Sequence, residues 1–213
     1  MKGLLIKDFK LLKSRGIFFL VFIVVYTIFQ LGTFDGAWAV GFATVLIGAF
    51  SLTTITYDEY ENGMPFLFTL PIRRIDYVRE KYVFGFLVTT VTWVIMSTAC
   101  SLFDTLMWSD DSGNFLDRLP FYVGYLIGVY FIISLQIALH LKFVERSAIV
   151  MMAVAGCIGV FALIIYAKAE GGASFTQLDL NWNAVIAVGA IVLFALMFVF
   201  YRWSVRIMEK REF

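Results

Sequence analysis

Charged side chains enclose a short apolar stretch in the sequence ENGMPFLFTLPIRR (61–74). The acids that precede it are Asp58, Glu59 and Glu61, and the bases that follow it are Arg73 and Arg74. Acids before and bases after an apolar segment are the order that a helix dipole favours. The stretch is much shorter than the roughly 20 residues that cross a bilayer. The pattern therefore predicts surface recognition rather than catalysis or membrane crossing.

Two prolines set the bounds of this predicted helix. Pro65 is compatible with a first helical turn, and Pro71 ends the helix and favours extended geometry at Leu70. The large apolar side chains must then be buried in lipid headgroups, in the underside of the protein or in another protein. The candidate contact residues are Glu59, Glu61, Gly63, Met64, Phe66, Leu67, Phe68, Leu70, Arg73 and Arg74.

The rest of the sequence offers few candidates for a catalytic, metal-binding or nucleotide-binding site. The single histidine, His140, has no second histidine or carboxylate cluster near it in sequence, which is more typical of an interface residue than of a ligand or base. Cys100 and Cys157 lie in apolar runs and are expected to be buried hydrophobes. The chain contains no Gly-Lys pair and hence no P-loop, and it has no H-E-x-x-H or G-x-S-x-G motif. The sequence predicts no catalytic residue, metal site or cofactor in this chain.

Composition places the chain in a membrane. Of its 213 residues, 61% are hydrophobic and 15% are charged, and the mean hydropathy is +0.86. Soluble domains are roughly 45–50% apolar and about 25% charged. The net charge of +1 gives no basic field for nucleic acid. The length suits a single domain over residues 1–213.

The apolar runs predict an all-α integral membrane protein with six transmembrane helices. The predicted spans are residues 16–33, 37–56, 82–103, 120–140, 148–167 and 183–203. Residues 1–14 carry lysines on one helical face and apolar residues on the other, with Ile6 and Asp8 breaking the pattern. This favours an amphipathic helix in the membrane interface. A cleaved signal peptide or a disordered segment is the alternative.

The distribution of basic residues predicts the orientation. Of the 17 lysines and arginines, all except Arg118 and Lys168 fall on the side that holds both termini and segment 57–81. By the positive-inside rule, that side is cytoplasmic. The chain is then a multi-pass protein of a plasma membrane with both termini inside.

Polar residues within the spans suggest a substrate path. No predicted span holds a carboxylate or a histidine in its interior, which disfavours ion-coupled transport. The first candidates for the path are Thr89, Thr90, Thr92 and Gln136. The alternative is hydrogen bonding between helices or to the backbone of the same helix. Gly124 and Gly128 form a G-x-x-x-G spacing that fits close packing either within the chain or between two copies.

Residues 58–82, DEYENGMPFLFTLPIRRIDYVREKY, resemble the segment after the second span in type-2 ABC exporter permeases, particularly the small six-span bacterial ones. The shared order is an acid (Glu59 or Glu61), Gly63, an apolar run ending in Leu70-Pro71, basic residues, Tyr77-Val78 and Lys81. The opening MKGLLIKDFKLLK is also similar to that family. Thr69 stands where the family often has serine.

The resemblance implies that segment 57–81 is a coupling helix docking on a separate cytoplasmic ATPase, which would hold ATP and magnesium. It also implies a second copy of the permease, or a homologous permease, in a bacterial plasma membrane. Similarity to phenol-soluble modulin and antimicrobial-peptide exporter permeases implies export of an amphipathic, peptide or toxin-like substrate. Lipid or drug-like cargo, an ATP-independent transporter and a membrane scaffold are the alternatives.

Overall fold

The computed structural model describes residues 2–33, 36–60, 63–107, 115–143 and 182–211. All regular elements among these residues are helical, as the composition predicts. They are α1 (Lys2–Thr33), α2 (Gly36–Ser51), α3 (Thr53–Glu59), α4 (Gly63–Leu67), α5 (Arg74–Met107), α6 (Phe115–Lys142) and α7 (Trp182–Lys210).

Four helical stretches of the described residues are long and apolar enough to cross a membrane: Ala39–Glu59, Arg74–Leu102, Tyr122–Lys142 and Ile191–Lys210. They correspond to the second, third, fourth and sixth predicted spans. The predicted first span is the second half of α1, and the fifth, at 148–167, lies outside the described residues. The count of six spans therefore stays a prediction.

The N-terminal helix differs from the expected pair of segments. α1 runs without a break from Lys2 to Thr33, across the predicted boundary between an interfacial helix at 1–14 and a span at 16–33. This range contains no proline, and a glycine such as Gly16 costs a helix only about 1 kcal/mol. The backbone hydrogen bonds therefore continue through the boundary.

Small residues let α2, α5 and α6 approach closely. A Cβ placed on Gly48 of α2 would lie 2.7 Å from Ile133 Cδ1 of α6, and one on Gly85 of α5 would lie 3.3 Å from Ile133 Cγ2. A Cβ on Gly124 or Gly128 would meet no described residue within 4 Å. The described glycines that permit close helix packing are therefore Gly48, Gly85 and Gly41, whose Cβ would lie 3.1 Å from Tyr125 Cδ1 of α6. Gly124 and Gly128 make no such contact among the described residues.

Several chain segments that are distant in sequence meet at one end of the bundle. Asp8 near the start of α1 contacts Lys81 near the start of α5, and Glu59 at the end of α3 contacts His140 near the end of α6. Arg74 reaches Met208 in the last turns of α7. We call this the polar end of the bundle. It also carries α4.

Candidate functional site

The short helix α4 is attached to the polar end by a close backbone contact. A Cβ on Gly63 would lie 2.7 Å from the backbone oxygen of Asp58 in α3. Real Cβ atoms do not come so close to a backbone oxygen, so glycine is required for α4 to fold back on α3 in this way. Glu61, one of the predicted contact residues, lies outside the described residues.

The predicted apolar contact residues of the segment divide into two groups. Met64 is 3% exposed and lies in a core cluster with Tyr77, and Leu67 and Phe68 pack against that cluster. Phe66 and Leu70, by contrast, are 73% and 47% exposed. The sequence predicted all five as surface contacts, and the structure leaves two of them outward.

Phe68 is held by contacts within the protein. Its ring lies edge-on to Tyr77, with centroids 5.9 Å apart, and the Arg74 guanidinium lies 6.0 Å from its centroid. Its packing anchors the turn between α4 and α5 rather than presenting a free ring.

The two adjacent arginines have different roles. Arg73 is exposed, and its Nε donates a 2.8 Å hydrogen bond to Asp76 Oδ2, which raises the pKa of the guanidinium. Arg74 Nη1 donates to the backbone oxygens of Met208 and Glu209, at 3.3 and 2.9 Å. Basic side chains stabilise the last carbonyls of a helix in this way. Arg74 therefore joins the start of α5 to the C-terminal end of α7.

Glu59 joins α3 to two more elements. Its Oε2 lies 3.2 Å from His140 Nε2, and its Oε1 lies 3.4 Å from Arg211 Nη1. The sequence favoured an interface role for His140, and the structure supplies its neighbour, a glutamate 81 positions earlier in the printed sequence. Glu59 thus connects the end of α3 to the end of α6 and to the residue after α7.

A buried charge cluster that the sequence did not predict lies beside α4. Lys81 Nζ is its centre, at 2.5 Å from Asp8 Oδ2, 2.8 Å from Asp58 Oδ2 and 3.7 Å from Glu80 Oε2. Lys7 Nζ lies 3.4 Å from Asp8 Oδ1 and also contacts Asp58. We call these five residues the Lys81 cluster. The side chains of Asp8, Glu80 and Lys81 are at most 1% exposed.

The Lys81 cluster connects three helices. Asp8 belongs to α1, Asp58 to α3, and Glu80 and Lys81 to α5. Tyr77 Oη donates a 3.1 Å hydrogen bond to Asp58 Oδ2, and Lys81 Nζ donates to Thr54 Oγ1 at 3.2 Å. Buried charges are tolerated only when they are paired in good geometry. Movement of any one of these helices therefore requires the others to follow or the pairing to break.

Two sequence signals pointed to this cluster. Asp8 interrupts the amphipathic pattern of residues 1–14, and such an interruption marks a residue with a partner elsewhere in the fold. Glu80 and Lys81 stand directly before an apolar run, where charges are costly without partners. To predict that Asp8 pairs with Lys81, one would have had to know that α1 and α5 are neighbours.

The similarity of the chain to known proteins fits this architecture. Residues 3–209 match the family described as ABC-2 family transporter protein. The chain belongs to this family. It is a membrane permease component of an ABC transporter, and membership implies association with an ABC ATPase component. No curated protein and no solved structure matches the chain.

The predicted path residues of the permease are spread over different environments. Thr90 Oγ1 donates to the backbone oxygen of Phe86 at 2.6 Å, and Thr92 Oγ1 donates to that of Val88 at 3.0 Å. These are the bonds within one helix that the sequence gave as the alternative. The buried Thr89 Oγ1 and the half-buried Gln136 Oε1 have no hydrogen-bond partner among the described residues. Thr89 and Gln136 therefore stay candidates for a polar substrate path.

Proposed function

We propose that the chain is the permease subunit of an ATP-driven exporter in a bacterial plasma membrane. A separate cytoplasmic ATPase docks on the segment 57–81 through Phe66 and Leu70. The Lys81 cluster passes the resulting displacement to α1, α3 and α5. The observation that carries the proposal is the exposure of these two large apolar side chains. The other large apolar side chains of the same stretch, Met64, Leu67 and Phe68, pack within the protein.

The local geometry favours a rigid docking element. Met64 and Phe68 are packed inward, and Gly63 allows a backbone contact that holds the start of α4 against α3. Exposed aromatic side chains on a fixed support lose little conformational entropy on binding, which suits them as interface hot spots. The exposed Arg73 lies just beyond Leu70 and adds a charge at the rim of the proposed contact.

The Lys81 cluster lies where it would pass a displacement of α4 to the neighbouring helices. Tyr77 belongs to the same core cluster as Met64, and its hydroxyl bonds to Asp58 within the Lys81 cluster. A push on α4 therefore reaches the ion pairs that connect α1 to α5. Because Asp8 and Lys81 have so little exposure to water, weakening their contact is costly, and the helices respond together.

The cargo that we propose is an amphipathic peptide or toxin-like molecule, with lipid or drug-like cargo as the alternative. Apolar spans with scattered hydroxyl and amide groups suit a substrate that is itself part apolar and part polar. A second permease copy is supported by Gly124 and Gly128 on α6, where a Cβ would meet none of the described residues within 4 Å and where the G-x-x-x-G spacing suits close approach of another helix. The proposed pathway then lies between two copies.

Truncation of Phe66 tests the docking surface. Phe66→Ala should weaken the affinity of the purified permease for its ATPase by about 30-fold, since losing a hot-spot side chain costs about 2 kcal/mol. Phe66→Asp should abolish co-purification. The ATPase is the one obtained by pull-down from the native membrane, and binding is measured in detergent or nanodiscs by titration.

The matched control is Ile6→Ala, which removes another exposed apolar side chain near the polar end of the bundle. We expect its ATPase affinity to equal that of the wild type. Phe68 is unsuitable for this test because its contact with Tyr77 makes it part of the folded core. Unchanged ATPase binding by folded Phe66→Asp protein would contradict the docking proposal.

A further inference from the structure

A groove on α7 combines apolar walls with exposed cations. It has a volume of about 380 Å³ and is lined by Phe198, Val199, Arg202, Trp203 and Arg206. Phe198 and Val199 are 63% and 56% exposed. Arg202 and Arg206 are one helical turn apart on the same face, so their side chains are neighbours. The groove thus has an apolar part and, next to it, a pair of guanidinium groups.

A third cation adjoins the groove from α6. Lys142 Nζ lies 5.0 Å from the centre of the Trp203 ring, and Trp203 lines the groove. Lys142 is the last residue of α6 and is exposed. Two neighbouring helices therefore place three positive side chains around one tryptophan.

These cations are not neutralised within the described part of the chain. No carboxylate of the described residues forms a salt bridge with Lys142, Arg202 or Arg206, whereas Lys7 and Lys81 pair with acids in the Lys81 cluster. Two of the three instead lie near aromatic rings: Arg202 is 6.0 Å from the Phe198 ring centre and Lys142 Nζ is 5.0 Å from that of Trp203. An anion placed in the groove would therefore be attracted by three cations that form no salt bridge with the described carboxylates.

The position along α7 identifies the kind of anion. The helix is apolar and exposed at Ile191, Val192 and Phe194, and this surface leads to Phe198 and then to the arginines. An acyl chain fits the apolar part, and a phosphate fits beside the guanidinium groups, while tryptophan and arginine side chains are typical of the boundary between hydrocarbon and headgroups. A soluble anion would leave Phe198 and Val199 uncovered.

We propose that this groove is a binding site for an anionic phospholipid, with its phosphate held by Arg202, Arg206 and Lys142 and an acyl chain along Phe198 and Val199. Basic pockets between helices at the membrane boundary bind such headgroups. The site lies at the same end of the bundle as α4, and it does not depend on which ATPase or cargo the permease uses.

Lipid retention by the intact permease tests the proposal. The probes are phosphatidylglycerol and phosphatidylcholine with identical acyl chains, added to delipidated protein and measured by native mass spectrometry. We expect phosphatidylglycerol to be preferred, also in excess inorganic phosphate. Arg202→Gln with Arg206→Gln should weaken its binding about 30-fold, which is about 2 kcal/mol for two charges near the membrane surface.

Two further variants make the result specific. Arg202→Lys with Arg206→Lys keeps both charges and should retain most of the binding. Lys10→Gln with Lys13→Gln removes two exposed charges from α1 and should leave phosphatidylglycerol binding unchanged. Equal loss in the α1 variant, no preference over phosphatidylcholine, or displacement by inorganic phosphate would each overturn the proposal.

Discussion

Replacing Lys81 with methionine removes the central charge of the Lys81 cluster. The ammonium group has carboxylate oxygens of Asp8 at 2.5 Å, Asp58 at 2.8 Å and Glu80 at 3.7 Å. Methionine keeps much of the side-chain volume but leaves three acids around an apolar group. Lys7 then remains as the only positive member of the cluster, and 35% of its side chain is exposed.

The expected loss of stability follows from burial. Removing one partner of a buried ion pair costs about 3–5 kcal/mol, because the remaining charge stays out of water without compensation. For a chain of this length, each kcal/mol shifts the unfolding midpoint by about 2–4 °C. Lys81→Met should therefore lower the midpoint by at least about 6 °C. The assay is thermal unfolding of the purified permease in one detergent, with Lys10→Met as the matched control on an exposed lysine.

A double substitution gives the decisive comparison. Asp8→Asn in the Lys81→Met background removes one of the acids that lost its partner, so the double variant should be more stable than Lys81→Met alone. Independent sites would instead show additive losses. Additive losses, or a midpoint for Lys81→Met equal to that of Lys10→Met, would refute the argument that these charges act as one cluster.

Two other substitutions test how the polar end is held together. Gly63→Ala should lower the unfolding midpoint and weaken ATPase binding, since its Cβ would lie 2.7 Å from the Asp58 backbone oxygen. Gly3→Ala in α1, whose Cβ meets no described residue within 4 Å, should lower neither quantity. Arg74→Gln should cost about 1–2 kcal/mol and speed amide hydrogen exchange in the last turn of α7, because the carbonyls of Met208 and Glu209 lose a charged donor. Arg79 is exposed, and Arg79→Gln should leave that exchange unchanged. Equal exchange rates in the two arginine variants would argue against stabilisation of the end of α7 by Arg74.

Most of the architecture could be predicted from hydrophobic run length. A helix in lipid must satisfy its own backbone groups, so long apolar runs imply helices, and four of the six predicted spans coincide with helical stretches long enough to cross a membrane. The order of residues from Glu59 to Lys81 was sufficient to indicate the family, and the match over residues 3–209 confirms it. Helix continuity at Gly16 could not be predicted, because a single glycine is compatible with either a bend or a straight helix.

The candidate site was predicted in outline only. The position of Pro65 indicated where the short helix begins, and α4 does begin at Gly63, two residues earlier. The predicted end at Pro71 was wrong, because α4 ends at Leu67 and the chain continues in turns, with Thr69 and Leu70 N–H donating to the backbone oxygens of Phe66 and Leu67. Periodicity could not separate Phe66 from Phe68, because a helix of five residues has too few turns to define an inner and an outer face. The packing of Phe68 on Tyr77 decides which ring faces the protein.

The sequence alone determined that the protein lies in a membrane, that it is helical and to which family it belongs, because each of these depends on local composition or on the order of neighbouring residues. The tertiary structure alone decided which charges are buried together. Asp8 and Lys81 are 73 positions apart, and no local pattern records that their helices touch. Since the favourable energy of an ion pair depends on distance and on exclusion of water, the function of these residues could be stated only after the helices were placed.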